Sequence, residues 1–192
     1  MMKKDIILAG VGGQGILSIA AVIGMAAVES GLYLKQAEVH GMSQRGGAVQ
    51  SHLRISDAPI ASDLIPLGSC DMILSVEPME ALRYLPFLSK NGWVVTSSKT
   101  FENIEDYPSQ NDLFEEIRKL QNHVIIDAYS IARDIGSQKV SNIVMLGAAS
   151  DYLGLTQASL EGALDTLFGR KGEDMVMLNI KALRAGKNGV KL

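Results

Sequence analysis

The stretch Gly10-Val11-Gly12-Gly13-Gln14-Gly15 constrains this chain more than any other feature. It follows a short apolar run, Asp5-Ile6-Ile7-Leu8-Ala9, of the kind that forms a buried strand. It precedes small and aliphatic residues recurring at helical spacing from Gln14 to about Ser30, with Gly31 placed to terminate a helix. Glycines permit the sharp reversal that joins a buried strand to a helix lying back across it. A chain that begins strand, glycine turn, helix is committed to the α/β class.

The same alternation continues. Strands are predicted over Tyr33–Val39, Val49–Ile55, Cys70–Val76, Trp93–Thr96 and His123–Asp127. Helices are predicted over Met79–Leu88, Leu113–Gln121, Ala128–Ile135, Asn142–Tyr152, Ala158–Phe168 and Met175–Ala185. Tyr33–Val39 reads as the closing strand of a first βαβ unit. Val49–Ile55 alternates Val49, Ser51, Leu53, Ile55 with Gln50, His52, Arg54, which predicts a strand with one polar face, near an edge or against a partner. The expected architecture is a three-layer αβα sandwich around a mostly parallel, Rossmann-like sheet. No repeat or linker divides the 192 residues, so residues 1–192 read as one domain.

Two stretches carry the candidate chemistry. Gly10, Gly12, Gly13, Gln14 and Gly15 satisfy the spacing G-x-G-x-x-G, in which glycines admit a close ligand and the helix start attracts anions. A dinucleotide site also wants an acid about 20 residues further on, and Glu38 lies near that distance. The alternative is a tight turn whose glycines only let the helix pack near the sheet. A P-loop is excluded, because no G-x-x-x-x-G-K-[ST] is present. The second stretch, His40-Gly41-Met42-Ser43-Gln44-Arg45-Gly46-Gly47, sets a planar guanidinium beside two glycines. Arg45, Gly46 and Gly47 form a donor fork suited to phosphate or carboxylate, or a turn whose arginine pairs with a surface acid. Both stretches follow strands, so both fall beyond the carboxyl ends where α/β sheets gather ligands.

Other properties narrow the partners. A net charge of −3 argues against nucleic acid, and no apolar run is long enough to cross a bilayer. Cys70 is the only cysteine, which suits a reducing, cytoplasmic setting and leaves this chain without the thiolates of an iron–sulfur cluster. Cys70 reads as a buried small residue, Glu77-Pro78-Met79-Glu80 as a helix start, and Asp127 as a polar strand end. His52 and His123 lack partners at metal-site spacing.

"GVGGQG" followed by "HGMSQRGG" resembles the gamma domain of the 2-oxoacid:ferredoxin oxidoreductases. "VEPMEALRYLPFL" (Val76 to Leu88) and "SNIVMLGAA" (Ser141 to Ala149) are similar to the small, beta subunit of the indolepyruvate type. The likeness runs from about Asp5 to Lys181. It implies CoA-dependent oxidative decarboxylation of 2-oxoacids, with ferredoxin as electron acceptor. It also implies a large alpha subunit carrying thiamine diphosphate, magnesium and [4Fe-4S] clusters, since no G-D-G followed by Asn-Asn occurs here. Under this resemblance Gly12–Gly15 and Arg45–Gly47 face the alpha subunit near the entry of coenzyme A. The alternatives are a gamma subunit of the pyruvate or ketoisovalerate type, a stand-alone nucleotide-binding oxidoreductase, and a non-catalytic assembly module.

Overall fold

A computed structural model describes residues 2–40 and 47–190. Among them are six strands and seven α-helices. The strands are β1 (Lys3–Val11), β2 (Tyr33–His40), β3 (Ala48–Ser56), β4 (Cys70–Ser75), β5 (Leu88–Ser97) and β6 (His123–Ile126). The helices are α1 (Ile16–Glu29), α2 (Pro78–Arg83), α3 (Gln110–Arg118), α4 (Ala128–Asp134), α5 (Ser141–Ala149), α6 (Gln157–Phe168) and α7 (Glu173–Gly189).

The sheet order is β2-β3-β1-β4-β5-β6. β1, β4, β5 and β6 pair in parallel, while β3 is antiparallel to both of its neighbours. Alternate residues of β1 serve opposite layers. Ile6 and Leu8 enter a core shared with α1 and α4 to α7, and Ile7 and Ala9 enter a second core with α2 and α3. The architecture is therefore the three-layer sandwich expected from the alternating pattern.

Several local devices set the helix ends. Gly31, at φ 75°, closes α1 while Leu32 N–H donates to the Ala27 carbonyl, a left-handed terminus that favours glycine. Ser109, Asp127 and Thr156 cap the starts of α3, α4 and α6 through their side chains. The helix expected over Met79–Leu88 ends earlier, at Arg83. Leu85–Phe87 forms a single 3-10 turn and β5 already begins at Leu88. Pro86 explains the break, because it lacks the N–H that a continuing helix requires.

One expectation about the first half of the sheet changes. β2 does not lie beside β1, so the first βαβ unit is split by β3, which fills the gap with the opposite sense. β3 lies beside the edge strand β2, near an edge as its alternating pattern predicts. Its polar face is roofed by the chain between β3 and β4: Ile65 N–H donates to His52 Nδ1 (3.0 Å), and Arg54 Nη1 donates to the carbonyls of Ser62 and Leu64 (2.9 and 3.0 Å).

His52 makes this roof sensitive to acid. Burial, and then the nearby Arg54 charge, hold its imidazole below the ordinary histidine range. As pH falls, the unfolded chain takes up the proton first, at about 6.5. His52 thus favours the folded chain fully above that value, and its contribution is lost toward the lower folded value. Thermal unfolding followed from about pH 7.5 to about pH 5.5 should show the wild type losing stability relative to His52→Gln. Parallel curves would contradict this coupling.

Candidate functional site

The carboxyl ends of β1, β2, β4, β5 and β6 all reach one rim of the sheet, and the amino end of β3 meets them there. The chain moves to one side of β1 for β3 and β2, and to the other for β4 to β6. The glycine turn thus sits at the topological switch point, where ligands of open α/β sheets gather.

Within the turn, the Gln14 side chain bends back and its Oε1 accepts the Val11 N–H at 2.7 Å. Gly12 N–H donates to the Gly47 carbonyl at 2.9 Å, so the two glycine-rich stretches meet. A Cβ on Gly10 would lie 2.4 Å from Val76 Cγ2, which shows a close approach of turn and β4 end. Gly13 and Gly15 are left-handed, at φ 98° and 81°, and Gly13 has open space on its Cβ side. Gly10 and Gly15 thus serve packing, and Gly13 stands at an open surface. Arg45 and Gly46 lie outside the described residues.

Glu38, the acid considered for a ribose, stands on β2 and is separated from β1 by β3; its Oε1 accepts from Gln36 Nε2 at 2.6 Å. A dinucleotide site takes this acid from the strand adjoining β1, and β3 occupies that place, so the arrangement does not support one.

Further along the rim, Glu77 is fully buried and caps α2, accepting the Glu80 N–H at 2.8 Å. It also accepts the Tyr107 hydroxyl and, at 3.4 Å, the Phe101 N–H. Burial holds this carboxyl above the ordinary range despite those donors. Glu77 thereby ties the 98–109 segment to the end of β4, a role the sequence showed only in part. Asp127 caps α4, and the Ser130 N–H that it accepts at 2.9 Å helps hold its carboxyl below the usual range. A groove of about 430 Å³ opens there, lined by Lys99, Arg133, Ser130, Tyr129 and neighbours. Tyr129 also lines a narrow cleft reaching Gln14 and Asn142.

Asn142 was not foreseen as a site residue. Its Nδ2 donates to the Gly15 carbonyl at 3.1 Å across 127 positions of sequence. An asparagine opening an apolar helix was the available signal, and it named no partner.

Cys70 begins β4 at the opposite end of the sheet from the rim. It is wholly buried, and burial pushes its thiol up to about 12. A single protonated, enclosed thiol does not fit a cluster held by four thiolates. Among the described residues no three His, Cys, Asp or Glu side chains converge as a metal site, and no helix is long and apolar enough to cross a membrane.

Residues 5–189 match the family model described as pyruvate ferredoxin/flavodoxin oxidoreductase. The indolepyruvate oxidoreductase subunit IorB of Archaeoglobus fulgidus is 36% identical over 194 residues, covering 97% of this chain and 95% of that protein. The gamma subunit of a keto/oxoacid ferredoxin oxidoreductase from Geobacter sulfurreducens superposes with a TM-score of 0.69 at 27% identity, over 98% of each chain. A 2-oxoglutarate:ferredoxin oxidoreductase from Magnetococcus marinus, solved with 2-oxoglutarate, coenzyme A and succinyl-CoA, shares the fold with a TM-score of 0.78 at 21% identity; all of this chain corresponds to 31% of that polypeptide. The match over residues 5–189, joined to the strand–glycine turn–helix at the switch point, establishes that the chain belongs to the pyruvate ferredoxin/flavodoxin oxidoreductase family.

Proposed function

We propose that this chain is the small subunit of an indolepyruvate (arylpyruvate):ferredoxin oxidoreductase, working in CoA-dependent oxidative decarboxylation of 2-oxoacids. The observation that carries this reading is the near end-to-end match to an indolepyruvate oxidoreductase subunit, 97% of this chain against 95% of that one. The chain's own residues do not suit electron transfer, because its one thiol is buried and protonated. Thiamine diphosphate, magnesium and [4Fe-4S] clusters then belong to a larger alpha subunit, with ferredoxin receiving the electrons in the cytoplasm.

The contribution of this chain is its rim. Gly10, Gly12, Gly13, Gln14 and Gly15, with Arg45, Gly46 and Gly47, face the alpha subunit where coenzyme A enters. Three features support this. Gly12 N–H bonds the Gly47 carbonyl, which joins the turn to the last residue of the second stretch. Leu17 and Val39, beside them, are 48% and 53% exposed, as apolar residues at a subunit contact would be. The Magnetococcus enzyme, whose fold this chain shares, was solved with coenzyme A.

Co-expression with the large subunit tests the reading. The complex should reduce ferredoxin with indolepyruvate and coenzyme A, and either subunit alone should not. Activity of this chain in isolation, with any redox coenzyme, would overturn it. Arg45→Ala should weaken coenzyme A use or subunit assembly; if both are unchanged, the rim assignment fails.

A further inference from the structure

α1 starts without the usual local restraint. Its first cap position is Gly15, which has no side chain to accept an orphan N–H, and no acid occupies the first turn. The turn preceding it contains Gly12 and Gly13 and would be among the most pliable segments of an unfolded chain. Something else must set its direction. On one side Gln14 clamps the turn through the Val11 N–H. On the other, the Gly15 carbonyl, which already accepts the N–H groups of Ser18 and Ile19 (3.1 and 3.3 Å), accepts Asn142 Nδ2 as a third donor. The fit is tight: a Cβ on Gly15 would stand 2.5 Å from that same amide nitrogen. Asn142 is itself held firmly, because α5 is buried from Ile143 to Ala149.

We infer that Asn142 is a positioning residue for the glycine-turn rim: from the rigid α5, its amide fixes the Gly15 carbonyl and with it the first turn of α1. The inference deepens the reading of the rim given above and rests on it for its functional consequence. The chemistry requires a donor. Alanine removes it, and an ionised aspartate replaces it with negative charge facing a carbonyl oxygen. A protonated aspartic acid restores a donor, through its O–H.

Amide hydrogen exchange on the full-length chain tests the positioning without reference to activity. In Asn142→Ala, exchange at Ser18 and Ile19 should accelerate roughly fivefold, the worth of one ordinary hydrogen bond, while β4 and α7 stay unchanged. Asn142→Asp should be looser than alanine at neutral pH and regain protection as its carboxyl is protonated, a pH profile that simple packing would not produce. Unchanged exchange at Ser18 and Ile19, or equal acceleration everywhere, overturns the inference. In the complex with the large subunit, the same variants should raise the KM for coenzyme A, or weaken assembly, with kcat little altered. Local loosening with unchanged KM and assembly would leave Asn142 as the setter of the turn but would sink the rim's assigned role.

Discussion

Replacing Gly186 with alanine is expected to destabilise the protein by about 3 kcal/mol or more, at the upper end of what an added methyl costs in a packed core. α5 and α7 cross at two glycines. A Cβ on Gly186 would lie 1.9 Å from the Val144 carbonyl oxygen, and one on Gly147 would lie 2.0 Å from the Leu183 carbonyl oxygen. Both obstacles are backbone, so no side chain can rotate out of the way and the helices themselves must separate. That separation disturbs Val144, Ala182 and Leu183, all of them buried in the larger core. The sign is diagnostic, because glycine to alanine in an unobstructed helix normally stabilises by about 1 kcal/mol. Gly162 on α6 supplies the control: its Cβ would meet nothing nearer than 4.0 Å. Urea and thermal unfolding should show Gly186→Ala lowered by roughly 10 °C and Gly162→Ala unchanged or raised. Equal behaviour of the two variants would refute the close helix crossing.

Arg54→Met should cost a similar amount, about 3 kcal/mol, as expected when a buried ion pair loses one member. Asp5 on β1 lies directly across from Arg54 on β3 and is fully buried. The guanidinium meets it with two donors, Nε at 2.7 Å and Nη2 at 3.1 Å, while Lys3 Nζ reaches it at 2.8 Å from a half-exposed position. Among the described residues, removal of Arg54 leaves the carboxylate with the lysine as its one charged partner and also takes a donor from each of the Ser62 and Leu64 carbonyls, Leu64 keeping Ser62 Oγ at 3.4 Å. The roof over β3 should therefore loosen along with the sheet. Two measurements check this: urea unfolding for the stability loss, and limited proteolysis for earlier cleavage within residues 57–69. Asp5→Leu combined with Arg54→Met should recover much of the loss, because no charge is then stranded. A double variant as unstable as Arg54→Met would place the effect in packing and not in the ion pair.

The glycine turn was legible as a strand-to-helix turn because it is one contiguous run of glycines between an apolar strand and an apolar helix. Its place at the rim also followed from local order, since it comes after a strand and parallel strands of this class end on one rim. Asn142 was not legible, because its meaning depends on the Gly15 carbonyl 127 residues away. Glu77 was half legible: its place before Pro78 announced a helix start, but nothing nearby announced Tyr107.

For the fold the division is similar. Hydrophobic periodicity with Gly and Pro punctuation located the strands and helices, apart from the end of α2 and the start of β5, because side-chain direction repeats every two or 3.6 residues whatever the neighbours. The left-handed end of α1 at Gly31 was equally local. Tertiary structure alone decided that β3 enters between β1 and β2 in the opposite sense, and that its His52 and Arg54 are covered by the chain's own 57–69 segment. It alone gave Gly147 and Gly186 their importance. The reason is that pairing, roofing and close approach are relations between distant segments, settled by the free energy of the whole packed chain and carried by no single stretch of it.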